Sequence, residues 1–305
     1  MAPAVDLGVV GHVVDRVVMA EFEPLYVAAR GVLLDALFAL APHGKAVIVV
    51  GAQAIYLRTG DADLAIAPYT TDGDLALNPT LLGDDPLLDH AMREANFTQT
   101  RRDQGHEEPG IWVEPVDVRG KIELIPVDLI VPRGAANPGG RRGARLEAHG
   151  KRAARTTIGL EPALVDHSPM TIGALDPADS RSIEVDVAGM GALLVAKAHK
   201  IHDRVAGGRK DRLDDKDAAD VVRIMQTTDP REVGGTLSTL IVDPLAGHAT
   251  STAVTYLTEL FGRRGQAGVH MAARAMQLAM DPDTVEVICT SYVAAVTRTL
   301  SELSI

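Results

Sequence analysis

The chain has 305 residues, a formal net charge of −11 at pH 7 and an apolar content of 46%. This composition indicates a globular protein and excludes a largely disordered one. A single cysteine, Cys289, excludes an intramolecular disulfide and a cysteine-rich metal site. Because we find no secretory signal and no apolar run long enough to span a bilayer, we predict a soluble, cytoplasmic protein with no membrane partner.

The first part of the chain predicts helices followed by a short buried strand. A helical part runs from about Val9 to Ala41, and Pro24 starts or kinks a helix there. The apolar run at 47–50 predicts a strand, which ends in Gly51 and Ala52, where the next helix opens. A turn from strand to glycine to helix leaves free backbone amides at the strand end, and these suit a phosphate group.

Two carboxylates, Asp72 and Asp74, begin the next predicted strand and follow Thr70 and Thr71. Residues i and i+2 of a strand share a face, so these acids point to one place. They repel each other unless a proton or cation lies between them. Mg²⁺ or Mn²⁺ is suited to that place, since hard cations take carboxylate oxygens and leave positions for substrate phosphates. The structural alternative is a turn, because Asp-Gly is a frequent hairpin dipeptide.

A third acid, Asp128, lies in a strand predicted over 121–131. Carboxylates on neighbouring strands can hold the metal ions of a phosphoryl or nucleotidyl transfer site. A partner strand is predicted over 111–118, with Arg119 and Gly120 as the hairpin turn. Asp85 and the proline after it predict the cap and first turn of a helix. Together these elements predict an α+β fold with a mixed sheet and flanking helices.

A basic segment follows the third acid. Seven cations stand against one acid, Glu147: Arg133, Arg141, Arg142, Arg145, Lys151, Arg152 and Arg155. The acidic net charge argues mildly against a nucleic-acid partner, but the local field governs attraction to phosphates. The glycines at 134, 139, 140 and 143 equally fit a mobile, solvated loop. Both interpretations stay open.

The rest of the chain is predicted to be mainly helical. Helices are expected over 187–204, ending at Gly207, and over 214–225, and further helices begin near Asp243 and Asp281. The last helix carries an apolar stripe that is typical of core packing and contains the buried, inert Cys289. We therefore divide the chain into residues 1–160, the N-terminal helices and the sheet, and residues 161–305, a helical C-terminal domain.

Lys197 and Arg204 are seven residues apart and share one face of a predicted helix. Lys197 follows an apolar stretch, which predicts partial burial, and a lysine there can neutralise the β- and γ-phosphates of a nucleotide. Asp217 and Asp220 lie one turn apart on the next helix, and a structural ion pair with Lys197 or Arg204 is the alternative. The histidines beside Lys197 lack the acid or cysteine spacing of a zinc site, so we predict that they are surface residues and that the protein binds no zinc.

Two sets of residues resemble a known family. Gly51-Ala52, Thr70-x-Asp72-x-Asp74 and Asp128 are similar to the nucleotidyltransferase fold related to DNA polymerase beta. The segment 193–204 and the later Lys216-Asp217-x-x-Asp220 resemble the second signature of the AbiEii/MenT-type nucleotidyltransferase toxins. The resemblance covers roughly residues 45–225. The chain departs from the family pattern at Ala52, Pro68 and Gly73, which leaves the choice of nucleotide open.

The resemblance implies a nucleotidyltransferase with Mg²⁺ or Mn²⁺ as cofactor, a nucleoside triphosphate (NTP) as substrate and the 3′ end of tRNA as acceptor. Growth inhibition and a cognate antitoxin would follow. The implied metal ligands are Asp72, Asp74 and Asp128. Lys197 and Asp217 would complete the catalytic set. Nucleotide binding is assigned to Gly51, Ala52, Thr70, Thr71 and Arg204.

Two other functions fit the same residues. A small-molecule nucleotidyltransferase, such as one that modifies antibiotics, would use the same acids on a different acceptor. A non-catalytic module would keep the fold and bind only a nucleotide or a protein partner. The three intact acids argue against the second alternative, and the basic segment favours a polyanionic acceptor over the first.

Overall fold

We describe the protein from a computed structural model that covers residues 22–60, 69–101, 105–136, 143–207 and 215–303. Several predictions fall on residues outside these ranges. They are the part of the N-terminal helix expected over 9–21, the departure from the family pattern at Pro68, and two cations of the basic segment, Arg141 and Arg142.

The strands of the described residues form one eight-stranded mixed sheet. The strands are β1 (Val47–Val50), β2 (Gly73–Leu77), β3 (Thr98–Arg101), β4 (Glu107–Val118), β5 (Lys121–Pro132), β6 (Arg155–Thr157), β7 (His167–Gly173) and β8 (Ser182–Ala188). Their order across the sheet is β3-β4-β5-β2-β1-β8-β7, and β6 pairs with β5. The predicted α+β fold is confirmed.

The predicted strand at 47–50 is confirmed as β1, whose four residues are all buried. Its neighbours are β2, which is antiparallel, and β8, which is parallel. A strand covered on both faces requires a continuous apolar run, and Val-Ile-Val-Val supplies one. The next pair, β2 and β5, is parallel and brings Asp74 directly opposite Asp128. The sheet therefore places two of the three predicted acids side by side.

The predicted hairpin between β4 and β5 is also confirmed. Arg119 and Gly120 form its turn, with φ of 56° and 84°, which are the positive values that a tight hairpin turn requires. Beyond the part of β5 that pairs with β4, the strand pairs with β6 through Ile130 opposite Arg155. Gly110, at φ 72°, allows this exchange of partners, because a Cβ there would overlap the Arg155 amide nitrogen.

Helices flank the sheet and form the C-terminal region. They are α1 (Pro24–Ala39), α2 (Gly51–Thr59), α3 (Leu88–Glu94), α4 (Met190–Ala206), α5 (Lys216–Thr227), α6 (Pro230–Ile241), α7 (Gly247–Phe261), α8 (Ala267–Met276) and α9 (Pro282–Leu303). Pro24 starts α1, as predicted, and the Glu23 carboxylate caps it. The Asp281 carboxylate accepts hydrogen bonds from the backbone amides of Asp283 and Thr284 at the start of α9. Among the described residues, no helix combines the length and the apolar character that crossing a membrane requires.

Two predictions about element boundaries were wrong. The helix predicted from residue 187 begins at Met190, because 187 and 188 belong to β8. Strands β7 and β8 were not predicted at all. They precede α4, and the helical region therefore starts later than predicted. The expected cap at Asp85 is also wrong: α3 begins at Leu88, whose amide donates to His149 Nδ1 at 3.2 Å. A side chain from a distant segment thus satisfies the helix end.

The apolar stripe of α9 is confirmed as core packing. Its buried members are Val285, Cys289, Tyr292, Val293, Val296 and Leu300, while Ile288 is partly buried. Cys289 is fully buried, and burial raises the pKa of its thiol to about 12. Since the thiolate is the reactive form, this cysteine is inert in the folded protein.

Candidate active site

The site begins at the acids of β2 and β5. Asp74 on β2 faces Asp128 on β5, and Asp72 immediately precedes β2. The Thr70 hydroxyl donates a short hydrogen bond to Asp72 Oδ1. Burial, with repulsion from Asp72 and Asp128, raises the pKa of Asp74 to about 6. An acid cluster of this kind attracts a cation, because like charges disfavour one another's ionised form.

Gly51 gives these acids their room. It is the first residue of α2 and has φ 70°, a conformation that glycine adopts readily. A Cβ at this position would overlap the Asp74 carboxylate. The N-cap residue, Val50, makes no side-chain cap hydrogen bond, so the first amides of α2 are open to another acceptor.

Arg155 is the immediate partner of Asp128. Its Nε and Nη2 both donate to Asp128 Oδ2, at 3.1 and 2.6 Å. Burial raises the pKa of the Asp128 carboxyl, and the guanidinium offsets part of that rise. Arg155 was predicted only as one member of the basic segment. The solvated-loop interpretation is wrong for it, because it lies in β6 and pairs with the partly buried Asp128.

A buried ion cluster lies between α4 and α5. Lys197 is 5% exposed, and its Nζ donates to Asp217 Oδ1 and Asp220 Oδ2, both at 2.6 Å. Arg204 donates to Asp217 Oδ2, and Lys200 Nζ lies 3.2 Å from Asp217 Oδ1. Burial opposes the Lys197 ammonium, but the two carboxylates outweigh it and raise its pKa. Burial likewise opposes the Asp217 carboxylate, yet the surrounding cations hold its pKa below 3.8.

Two contacts join the acid part of the site to this cluster. The Tyr56 hydroxyl of α2 lies 3.1 Å from Asp220 Oδ1 and 2.9 Å from the Tyr69 carbonyl oxygen. Lys216 Nζ donates to Thr70 Oγ1 at 2.9 Å. The segment that leads into β2 is thereby connected to α5.

A pocket of about 600 Å³ opens between these groups. Its charged lining residues are Asp74, Arg155, Lys197, Lys200, Asp203 and Arg204. Its apolar lining includes Val50, Ile130, Ile158, Leu160 and Ala196. The volume lies within the range of small-molecule sites, and an apolar wall with a few convergent charges is typical of them.

The structure brings most of the predicted site residues to this region. Gly51, Asp74, Lys197 and Arg204 line the pocket, and Asp128 and Asp72 adjoin Asp74. The remaining predicted residues are the buried Ala52, Thr70 and Asp217 and the partly exposed Thr71. Thr70 binds Asp72 and Lys216 through its hydroxyl, so its assignment to a nucleotide stays a prediction, as do those of Ala52 and Thr71.

The prediction that the histidines of α4 are surface residues was wrong. His199 was expected at the surface, but it is 6% exposed, and its Nε2 lies 2.9 Å from the Ala249 carbonyl oxygen. The cause is the packing of α4 against α7, whose Tyr256 also stacks on His202. Gly159, at φ 91°, approaches the His199 ring so closely that a Cβ would overlap it.

The three acids are the predicted metal ligands. In the part of the chain that the structure describes, no three His, Cys, Asp or Glu side chains are arranged around a common ion position. The donor chemistry nevertheless fits a divalent cation, since Asp72, Asp74 and Asp128 offer hard carboxylate oxygens. A cationic group, the Arg155 guanidinium, already lies on one of them. The metal assignment stays a prediction.

Sequence reasoning missed Arg155 and Tyr56 as parts of the site. Arg155 begins a β-prone Arg-Thr-Thr run, but three residues are too few to predict a strand. Tyr56 lies one helical turn after Ala52, and that spacing alone did not distinguish it from a core residue. Asp220 belongs to the Lys216-Asp217-x-x-Asp220 motif, but only Asp217 of that motif was assigned to the catalytic set.

No protein-family model matches the chain, and no curated protein matches it either. The likeness to the AbiEii/MenT-type toxins therefore depends on the motifs and their spacing.

Proposed function

We propose that this protein is a metal-dependent nucleotidyltransferase of the AbiEii/MenT type. It would transfer a nucleoside monophosphate from an NTP to the 3′ end of tRNA and act as the toxin of a toxin–antitoxin pair. One observation carries the proposal. Asp74 lies opposite Asp128 on the neighbouring strand, and it lines the same pocket of about 600 Å³ as four cationic side chains. Acids and cations around one pocket suit a magnesium–triphosphate substrate.

The acids are suited to hold the metal. Asp72, Asp74 and Asp128 would bind Mg²⁺ or Mn²⁺, which supplies charge stabilisation at the reacting phosphate. Gly51 leaves the amides of α2 open beside Asp74, where they can donate to phosphate oxygens. Asp128 would also orient the attacking hydroxyl group of the acceptor.

The cations are suited to the leaving pyrophosphate. Lys200 and Arg204 line the pocket with partly exposed side chains. Lys197 gives two of its three N–H groups to Asp217 and Asp220 and has one left for a phosphate oxygen. Because both carboxylates fix its position, Lys197 would meet the transition state without reorganisation.

The acceptor proposal depends on the basic segment. Arg133, Arg145, Lys151 and Arg152 are exposed, and each can contact a phosphate of a polyanionic acceptor. The antitoxin is proposed from the family likeness alone.

The proposal is tested by transfer of label. The protein is incubated with each α-³²P-labelled NTP, Mg²⁺ and total tRNA, and label should appear in the tRNA from the wild type. Asp72→Ala and Asp74→Ala should abolish it while leaving the melting temperature within a few degrees. Label in a small-molecule fraction would support the antibiotic-type alternative. Binding of an NTP with no transfer to any acceptor would instead support a non-catalytic module.

The acceptor is tested separately by salt dependence. Neutralising Arg133, Arg145 and Lys151 together should weaken tRNA binding and flatten its dependence on log salt by about 0.7–0.9 per lost contact. NTP affinity should stay unchanged, because none of the three lines the pocket. An unchanged salt slope would exclude these residues from the tRNA site.

A further inference from the structure

We propose that Arg155 is a displaceable counter-ion of Asp128 that weakens metal binding until an NTP draws its guanidinium to the phosphates. The inference depends on the proposed function for its substrate and deepens it, because it makes metal and nucleotide binding mutually dependent.

The backbone of Arg155 is fixed. Trp112 Nε1 donates to the Ala153 carbonyl at 3.0 Å, and Gln99 Nε2 donates to the Arg152 carbonyl at 2.7 Å. The Ala154 carbonyl accepts from the Ala144 amide at 2.9 Å. Trp112 and Gln99 are both buried. Any movement of Arg155 is therefore a movement of its side chain.

The guanidinium holds Asp128 in a way that is easy to release. Both of its bonds go to one oxygen, Oδ2, so the pair lacks the parallel two-oxygen geometry that makes arginine–carboxylate pairs strong. The Arg155 side chain is 31% exposed and that of Asp128 is 19% exposed. A partly exposed ion pair contributes little, about 0–1 kcal/mol. Arg155 can leave Asp128 at small cost.

The pocket offers Arg155 a second partner. Arg155 lines the pocket together with Lys200 and Arg204, which are suited to phosphates. Arginine binds phosphate through two parallel hydrogen bonds, a better match than the single oxygen of Asp128. A triphosphate would thus compete for the guanidinium and release Asp128. Because coupling between two ligands is reciprocal, a metal ion at the acids would also favour nucleotide binding.

The test measures Mn²⁺ binding without nucleotide, by electron paramagnetic resonance of the free ion. Arg155→Ala should bind Mn²⁺ about fivefold more tightly than the wild type, the change expected when a competing ion pair of about 1 kcal/mol is removed. Arg152→Ala is the matched control. It removes the same charge from the same segment, but its side chain is 63% exposed and pairs with Glu107, so Mn²⁺ affinity should not change.

A second measurement follows the nucleotide. With EDTA present, calorimetry of each NTP should show severalfold weaker binding to Arg155→Ala than to the wild type, and no loss for Arg152→Ala. If the alanine variant does not fold, Arg155→Gln serves in both measurements, since it keeps most of the side-chain stem. Equal or weaker Mn²⁺ binding by the folded Arg155 variant overturns the proposal, as does unchanged NTP affinity.

The two proposals fail in different ways. Mn²⁺ binding can be measured without transfer. If the wild type labels no acceptor but Arg155→Ala binds Mn²⁺ more tightly than the wild type, the proposed function alone is refuted. A wild type that labels tRNA, with no gain in Mn²⁺ affinity in the variant, would refute the role of Arg155 alone.

Discussion

Replacing Lys197 with methionine should lower the free energy of unfolding by about 3 kcal/mol. Lys197 is 5% exposed and 2.6 Å from each of Asp217 and Asp220. Removing one partner of a buried ion pair costs about 3–5 kcal/mol, because a buried charge loses its compensation. The lower end applies here, since Asp217 keeps Arg204 and Asp220 keeps the Tyr56 hydroxyl.

The loss is measured by urea unfolding, followed by circular dichroism and by the fluorescence of Trp112. This residue is the only tryptophan and is fully buried in the sheet, so its emission reports the sheet while circular dichroism reports mainly the helices. A loss of about 3 kcal/mol lowers the ratio of folded to unfolded protein more than a hundredfold.

Lys200→Met is the matched control. Lys200 lies on the same helix and 3.2 Å from the same Asp217, but its side chain is 47% exposed. Exposed pairs contribute less than about 1 kcal/mol, so its loss should be correspondingly small. The two lysines then differ in burial and in their carboxylate partners, which are two for Lys197 and one for Lys200. Equal losses for Lys197→Met and Lys200→Met would refute the reasoning.

Two further measurements sharpen this prediction. Adding Asp220→Asn to Lys197→Met should recover about 1–2 kcal/mol, because it removes one of the uncompensated charges. The neighbouring cations hold the pKa of Asp217 below its ordinary value of 3.8 in the folded protein. The ionised Asp217 therefore stabilises the fold fully above about pH 3.8, and this stabilisation is lost as the pH falls through its pKa in the folded protein. The difference between wild type and Lys197→Met should therefore shrink in strong acid.

Three other predictions concern single sites. Asp74→Asn should raise the free energy of unfolding by about 1–2 kcal/mol at pH 7, because the Asp74 pKa of about 6 makes the wild type lose stability as the pH rises through that value. The gain should vanish below about pH 4, and a gain in urea unfolding that does not depend on pH would show that the Asp74 charge is not its cause. Gly51→Ala should lower the unfolding free energy by about 1–3 kcal/mol, because φ is 70° and the new Cβ meets Asp74; an unchanged melting temperature would argue against the close approach. The Cys289 thiol should react with a disulfide reagent no faster than the protein unfolds, and rapid reaction of the native protein would show that it is not buried.

The sheet was predictable where the signal was local. The run at 47–50 and the Arg119-Gly120 turn each identify their element from a few adjacent residues, and both were confirmed. The pairing of Asp74 with Asp128 follows from two predicted strands becoming neighbours. Apolar and polar residues do alternate along strand β8, where Ile183, Val185 and Val187 are separated by polar residues. The strand was missed because its last two residues were assigned to the predicted helix over 187–204.

The site was less predictable because its contacts are not local. Arg155 contacts Asp128 because the pairing of β4 with β5 ends near Gly110, and β6 pairs with the next part of β5. His149 caps α3 from a distant segment. The apolar stretch before Lys197 predicted partial burial, and the side chain is in fact only 5% exposed. The number of carboxylates around it depends on how α4 packs on α5. Spacing along one helix does not contain that information.

The order of these elements along the chain has a consequence during synthesis. The acids of β2 and β5 leave the ribosome well before Lys197 on α4 and Asp217 on α5. At about 5–20 residues per second, the nascent chain carries its acids for several seconds without the cations that α4 supplies. Strand β8, which directly precedes α4, pairs with β1, which was made much earlier. The pocket therefore cannot be completed before α4 is made, since Lys197, Lys200 and Arg204 line it. A chain released before α5 would hold the acids of the site but lack the carboxylates that pair with Lys197.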